Sequence, residues 1–286
     1  MALFAAGLAN TMAQPAANIV VSERIPLERQ GIAMAIKQSA IPAATIVAGL
    51  AVPAIGLTVG WRWAFVGGAV LAALASRSAR RVTDLPARPV TRPTGDETGS
   101  PAVLGVLALG AWLAAGHATM IAGFLVDSGE HAGLSPSVAG LMLAVGSASG
   151  ITSRLLLGSY VDRHAVRALT LVVILLVTGA GAALLLAPQR APLHVLATPV
   201  MFATGWAWPG LFNLAVVRAR ADRPGAATGI TQTGTYLGAV TAPLAFGALV
   251  EATDSYAAGW TFAAAWALVA AGVMAIGNRR LRRSGT

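Results

Sequence analysis

The sequence predicts an all-α membrane protein: a bundle of nine transmembrane helices, three followed by six. Three observations predict it. Hydrophobic residues make up 56% of the chain and charged residues only 11%, against about 25% charged in a typical soluble domain, and the mean hydropathy is +0.70. Apolar stretches of about 20 residues, enough to cross a bilayer, recur along the whole chain. The segments between them alternate between basic and acidic.

The spans run over 2–21, 33–57, 62–77, 102–126, 137–160, 167–187, 193–217, 227–250 and 257–277. The first is apolar but carries Asn10, Gln14 and Asn18. The second contains Pro42 and Pro53, and the eighth contains Pro243. Such prolines loosen a helix and suit a rocking gate, but they are also ordinary in membranes. The third span is the shortest and opens on Gly60-Trp61-Arg62-Trp63. The fourth has His117 near its middle. Gly146 and Gly150 in the fifth span, and Gly234 and Gly238 in the eighth, have the spacing that lets helices approach closely. The seventh contains Trp206, Trp208 and Asn213. Trp61, Trp63 and Trp260 read as an interfacial belt on the outer side.

One set of connections holds Arg24, Arg29 and Lys37, then Arg77, Arg80, Arg81, Arg88 and Arg92. The same set continues with Arg163 and Arg167, with Arg218, Arg220 and Arg223, and with Arg279, Arg280, Arg282 and Arg283. The opposite set holds Arg62 and Arg190 beside Asp127, Glu130, Glu251 and Asp254. Basic residues collect on the cytoplasmic side, so the N-terminus is expected outside and the C-terminus in the cytoplasm. The net charge of +9 is thereby a topology signal spread over separate loops, and no nucleic-acid partner is expected. The segment 78–100, rich in arginine and proline, reads as a cytoplasmic linker. It divides the chain into 1–77, with three spans, and 101–286, with six.

An internal repeat relates the two parts. Glu28-Arg29-x-Gly31, with Ile36, Gln38 and Ser39, parallels Asp222-Arg223-x-Gly225, with Ile230, Gln232 and Thr233. The same offset pairs Pro15 with Pro209, and after a short insertion Gly60-Trp61 pairs with Gly259-Trp260. The first three spans therefore correspond to the last three, and spans four to six have no counterpart. A protein of two six-helix halves would place three more helices before Met1, which also accounts for an N-terminus outside.

Gly158-Ser-Tyr-Val-Asp162-Arg163-His-Ala-Val-Arg167 resembles the loop motif of the major facilitator superfamily, Gly-x-x-x-Asp-Arg-x-Gly-x-Arg. Ala165 replaces its second glycine. Glu28-Arg29-x-Gly31 and the run from Gly60 to Phe65 are similar to the family's fourth to sixth helices. The resemblance covers nearly the whole chain and implies that its spans are helices four to twelve of twelve. It implies a cytoplasmic gate built on Gly158, Asp162, Arg163 and Arg167, in which Asp162 and the arginines form a charged network that breaks on rocking. It also implies a central cavity lined by the first, fourth and seventh spans. The family's antiporter signature is poorly matched by Val52-Pro53-Ala54-Ile55-Gly56.

Polar groups inside lipid are costly and face a cavity or another helix. Asn10, Gln14 and Asn18 fall on one helical face at i, i+4 and i+8. They either bind substrate or hydrogen-bond neighbouring helices. His117 is a substrate or proton-relay candidate or a satisfied interhelical histidine. Trp206, Trp208 and Asn213 line the same cavity or pack. Arg154 either snorkels to the interface or binds an anion. Gln38 and Gln232, equivalent in the repeat, are gate elements or structural.

The chain has no cysteine, and its four histidines make no metal spacing. No cofactor, catalytic constellation or phosphate loop is visible, so an enzyme is not expected. The expected function is a permease for a small polar or anionic solute, with the lipid bilayer as its solvent and a proton as a coupling candidate. The alternative is an N-terminally truncated fragment without transport activity. The composition, rich in alanine and arginine with Lys37 the single lysine, points to a bacterial inner membrane.

Overall fold

The structure is a computed structural model, and it describes residues 2–51, 55, 58–83, 101–221 and 223–283. Among them all regular structure is helical: α1 (Ala2–Arg24), α2 (Gln30–Ala51), α3 (Trp61–Thr83), α4 (Pro101–His131), α5 (Pro136–Arg163), α6 (Ala168–Leu184), α7 (Ala191–Gly205), α8 (Pro209–Ala219), α9 (Pro224–Thr253) and α10 (Tyr256–Arg283). A short 3₁₀ turn, Leu27–Arg29, joins α1 to α2. Helices are the natural answer for segments this apolar, because lipid offers no partners and each backbone group must bond within its own helix.

Among the described residues, five segments are long and apolar enough to cross a membrane: Ala102–His131, Pro136–Arg163, Ala191–Ala219, Pro224–Thr253 and Tyr256–Arg283. α6 is apolar but shorter, at 17 residues. α7 and α8 together make one span, interrupted at Trp206–Trp208. With that pair taken as one rod, the described residues form nine rods, in keeping with the expected bundle. α3 continues to Thr83, into the segment expected as a linker, and 84–100 lie outside the described residues. Pro53, in the segment compared with the antiporter signature, also lies outside them.

α4 is the centre of the C-terminal part, flanked by α9 and α10. α6 packs on α10 and α7, and α7 packs on α5. α2 lies against α5 and α8, and α1 against α9. None of the described side chains of α3 is buried.

Small residues set the closest crossings. A β-carbon on Gly234 or Gly238 would collide with the backbone carbonyls of Ala108 and Trp112, so α9 and α4 meet backbone to backbone. Trp112 Nε1 donates to Thr241 Oγ1 at 2.9 Å across the same contact. Gly146 and Gly150 make room for Phe202 of α7. Two apolar cores result. One, containing Met34, Leu107, Trp208, Phe212 and Met274, lies nearer the basic end of the bundle. The other, containing Ile121, Leu125, Phe202, Phe246 and Trp260, lies nearer the acidic end.

The tryptophan belt needs a correction. Trp63 is exposed, but Trp260 is fully buried and donates to Ser128 Oγ at 2.7 Å. Its indole N–H found a buried hydroxyl, so burial satisfied the group that an interface would otherwise hydrate.

Candidate functional site

At the basic end, α5 crosses the start of α2. A β-carbon on Gly31 would stand 2.5 Å from the Gly158 carbonyl oxygen. That approach brings Asp162 to the first turn of α2. Its Oδ1 accepts from the Gly31 amide at 2.7 Å and its Oδ2 from the Ile32 amide at 2.8 Å. These amides belong to a helix start, where N–H groups lack intrahelical partners and the helix dipole favours negative charge. Both oxygens therefore cap α2 instead of pairing with Arg163 or Arg167. Those two arginines are exposed, Arg163 ending α5 and Arg167 preceding α6. The cation that adds to the junction is Arg218, which interacts electrostatically with Asp162. Its Nη2 donates to the Leu27 carbonyl at 2.8 Å. Gly210 fits against Met34 and Ala35, and Gly225 against Ile19. The contacts between α1–α2 and the other helices thus crowd at this end.

The amide face of α1 is placed beside α2 and α9. Asn18 is fully buried, and its Oδ1 accepts from Lys37 Nζ at 2.6 Å. The Gln14 carbonyl accepts from the same ammonium at 3.3 Å. Exposed Asn10 reaches Tyr236 Oη at 3.3 Å. Gln14 Oε1 and Asn18 Nδ2 are buried without partners, so the face retains one open acceptor and one open donor. Lys37 was read from sequence as part of a basic loop. It sits inside α2 instead, half-buried, with its stem between the helices.

Trp206 and Trp208 flank the α7–α8 interruption. Trp206 meets Phe202 edge to face and lies under the Arg154 guanidinium, 5.2 Å from its ring centre. Arg154 Nη2 donates to the Trp206 carbonyl, which the interruption frees. Arg154 does not snorkel: it is 3% exposed, and its head is held at the interruption. Trp208 is buried against Phe212, with its Nε1 unpartnered. Asn213 is buried one turn further along α8.

His117 is placed elsewhere. Its Nδ1 lies 3.1 Å from the Ala263 carbonyl of α10, and its Nε2 faces Gly179 and Gly205. It sits inside the C-terminal helices, apart from the α1 amides. Gln38 is buried with its Oε1 unpartnered, and Gln232 is half-buried in α9.

Sequence reasoning missed Lys37 as an interior group, Arg218 as a junction residue, and Ser128. Ser128 Oγ lies 3.0 Å from His194 Nε2 and also accepts from Trp260 Nε1 and, at 3.3 Å, from Gln189 Nε2. No pattern signalled that hub, because its members are far apart in sequence. Among the described residues no group of side chains has the make-up of a metal site.

The family model described as Major Facilitator Superfamily matches residues 1–106 and 107–285. No curated protein matches the chain.

Proposed function

The chain belongs to the Major Facilitator Superfamily, and we propose that it is a secondary active transporter carrying a small polar or anionic solute by alternating access. Members of the family are membrane transporters rather than enzymes. The observation that carries the mechanism is the Asp162 cap. One carboxylate of α5 holds two backbone amides of α2, so its release would let the two helix groups part at that end. Gly158 supplies the close approach, Arg218 the added charge, and Arg163 and Arg167 the basic rim.

The first unit in this reading is 1–77, equivalent to the family's helices four to six. A connection over 78–100 and a six-helix half over 101–286 follow. The internal repeat supports that division, and so does the packing of α1 and α2 on α9, α5 and α8. The basic end faces the cytoplasm of a bacterial cell, with the N-terminus outside and the C-terminus inside. Asn10, Gln14 and Asn18, with Lys37, offer polar groups to solute from one wall. Trp206, Trp208 and Asn213 belong to the other. Gln38 and Gln232 stand near the gate.

Reconstitution into liposomes tests this reading. Uptake of a small polar or anionic solute driven by an imposed solute or proton gradient is expected, and Asp162→Asn should reduce it strongly. Absence of gradient-dependent flux across such a panel would remove the transporter reading.

A further inference from the structure

Among the described residues, Arg154 is an interior cation with no counter-ion bonded to it. Arg154 is buried at 3% exposure, and only Nη2 is bonded, to the Trp206 carbonyl. Nε and Nη1 are buried without partners. Among the described residues no carboxylate is bonded to these two groups. α2, α6, α7 and α8 contain no Asp or Glu at all. On α5 the one acid is Asp162, about 12 Å away along the helix at 1.5 Å per residue, and it is committed to the α2 amides. The acids of α4, Asp127 and Glu130, lie at the opposite end. An isolated buried charge costs several kcal/mol, on the order of what a folded domain cannot spare, so a missing partner is a specific deficit.

Two neutral negative poles face Arg154, the Trp206 carbonyl and the Trp206 ring, and neither carries a formal charge; the interruption beyond them offers donors. The α7–α8 interruption places the start of α8 beside it, with Pro209 at the first position and no side-chain cap. A helix start carries open amides and the positive end of the helix dipole. Trp208, which precedes α8, keeps a buried indole N–H without a partner. A guanidinium with open N–H groups is matched to a carboxylate, which can accept two parallel hydrogen bonds from it. One fixed cation in a buried setting selects a single negative charge.

We propose that Arg154 and the start of α8 form the binding site for a small carboxylate anion, and that this anion is the solute. The proposal rests on the transporter reading for the word solute, but the site stands on Arg154 alone. The anion supplies the counter-charge that the described residues do not, and Trp206 covers the guanidinium from the other face.

The test uses the full chain in lipid nanodiscs, with sodium formate as the probe and sodium gluconate holding ionic strength constant. The thermal unfolding midpoint is followed against formate concentration. A saturable rise is expected in the unaltered protein, since a ligand bound only by the folded state stabilises it. The rise should vanish in Arg154→Gln and persist in Arg282→Gln, at the exposed end of α10. No saturable rise, or one that survives in Arg154→Gln, would overturn the proposal. If Arg154→Gln does not fold, Arg154→Lys decides, because it keeps the charge and loses the fork. A half-saturating concentration raised about tenfold supports the site, and an unchanged one refutes it. Gradient-driven uptake of labelled formate into proteoliposomes separates the two readings. A thermal shift without uptake retains the anion site and counts against transport of that anion. Uptake of some other solute with no formate shift retains the transporter and refutes the site.

Discussion

Gly31 and Gly158 each occupy the space where the other's side chain would be: a β-carbon on Gly31 would stand 2.5 Å from the Gly158 carbonyl oxygen, and one on Gly158 would stand 2.7 Å from that of Gly31. The obstructing atoms are backbone and cannot swing away. Gly158→Ala should therefore force α2 and α5 apart and destabilise the protein by roughly 1–3 kcal/mol, the range for overpacking. Thermal unfolding measures this. Gly140→Ala, on the same helix with open space around it, should change little.

Asp162→Ala should weaken the same junction through a different term. Two backbone amides at a helix start lose a charged acceptor, at a cost of about 0.5–2 kcal/mol. The chain has no cysteine, so a cysteine introduced at Ala35 can report opening without background. Its labelling by an impermeant maleimide should quicken in Asp162→Ala and stay slow otherwise.

Lys37 and Asn18 should behave as a coupled pair. Asn18→Leu removes the acceptor at 2.6 Å and leaves the half-buried ammonium with the Gln14 carbonyl. Lys37→Met leaves a fully buried amide with both ends open. A double-mutant cycle scored by unfolding should give an interaction of about 0.5–3 kcal/mol, the range for residues in direct contact. Independent effects of the two substitutions would deny the bond any energetic weight.

Ser128→Ala should cost more than its size suggests. The hydroxyl serves Trp260 Nε1, His194 Nε2 and Gln189 Nε2. Removing it strands buried polar groups, at about 1–3 kcal/mol for each one left unsatisfied. Ser149→Ala, half-buried on α5 with its hydroxyl turned back on the Val145 carbonyl of its own helix, should stay within about 0.5 kcal/mol. Comparing the two unfolding midpoints checks the prediction.

His117 should resist a larger neighbour. A β-carbon on Gly205 would stand 2.6 Å from His117 Nε2. Gly205→Ala should lower the unfolding midpoint, and His117→Ala in the same chain should recover much of the loss. No recovery would mean that Gly205 is constrained by something other than the imidazole.

The helices of the C-terminal part were legible in sequence because lipid imposes one rule on every span: length and apolarity decide. The glycine spacings in α5 and α9 were legible for a related reason, since close approach requires small residues at fixed intervals. Sequence could place Asp162 in a motif but not identify its partner. Capping draws on backbone amides, which every residue carries, and only three-dimensional proximity singles out Gly31 and Ile32. Lys37 was misplaced for the opposite reason. A basic residue about two turns into a helix looks the same in sequence whether its stem points to the interface or back toward α1. Arg154 was ambiguous until its head was located. Trp260 looked interfacial because its partner, Ser128, is 132 positions away.

The interruption at Trp206–Trp208 has a mechanical consequence. α7 leans on α5, while α8 leans on α2 and α1. A single membrane span thereby answers to two different neighbours, one on each side of a three-residue joint. A straight rod would transmit any tilt of α2 directly to the far surface. The joint allows the lower segment to swivel while the upper one stays seated, so displacement at one face of the membrane need not be copied at the other.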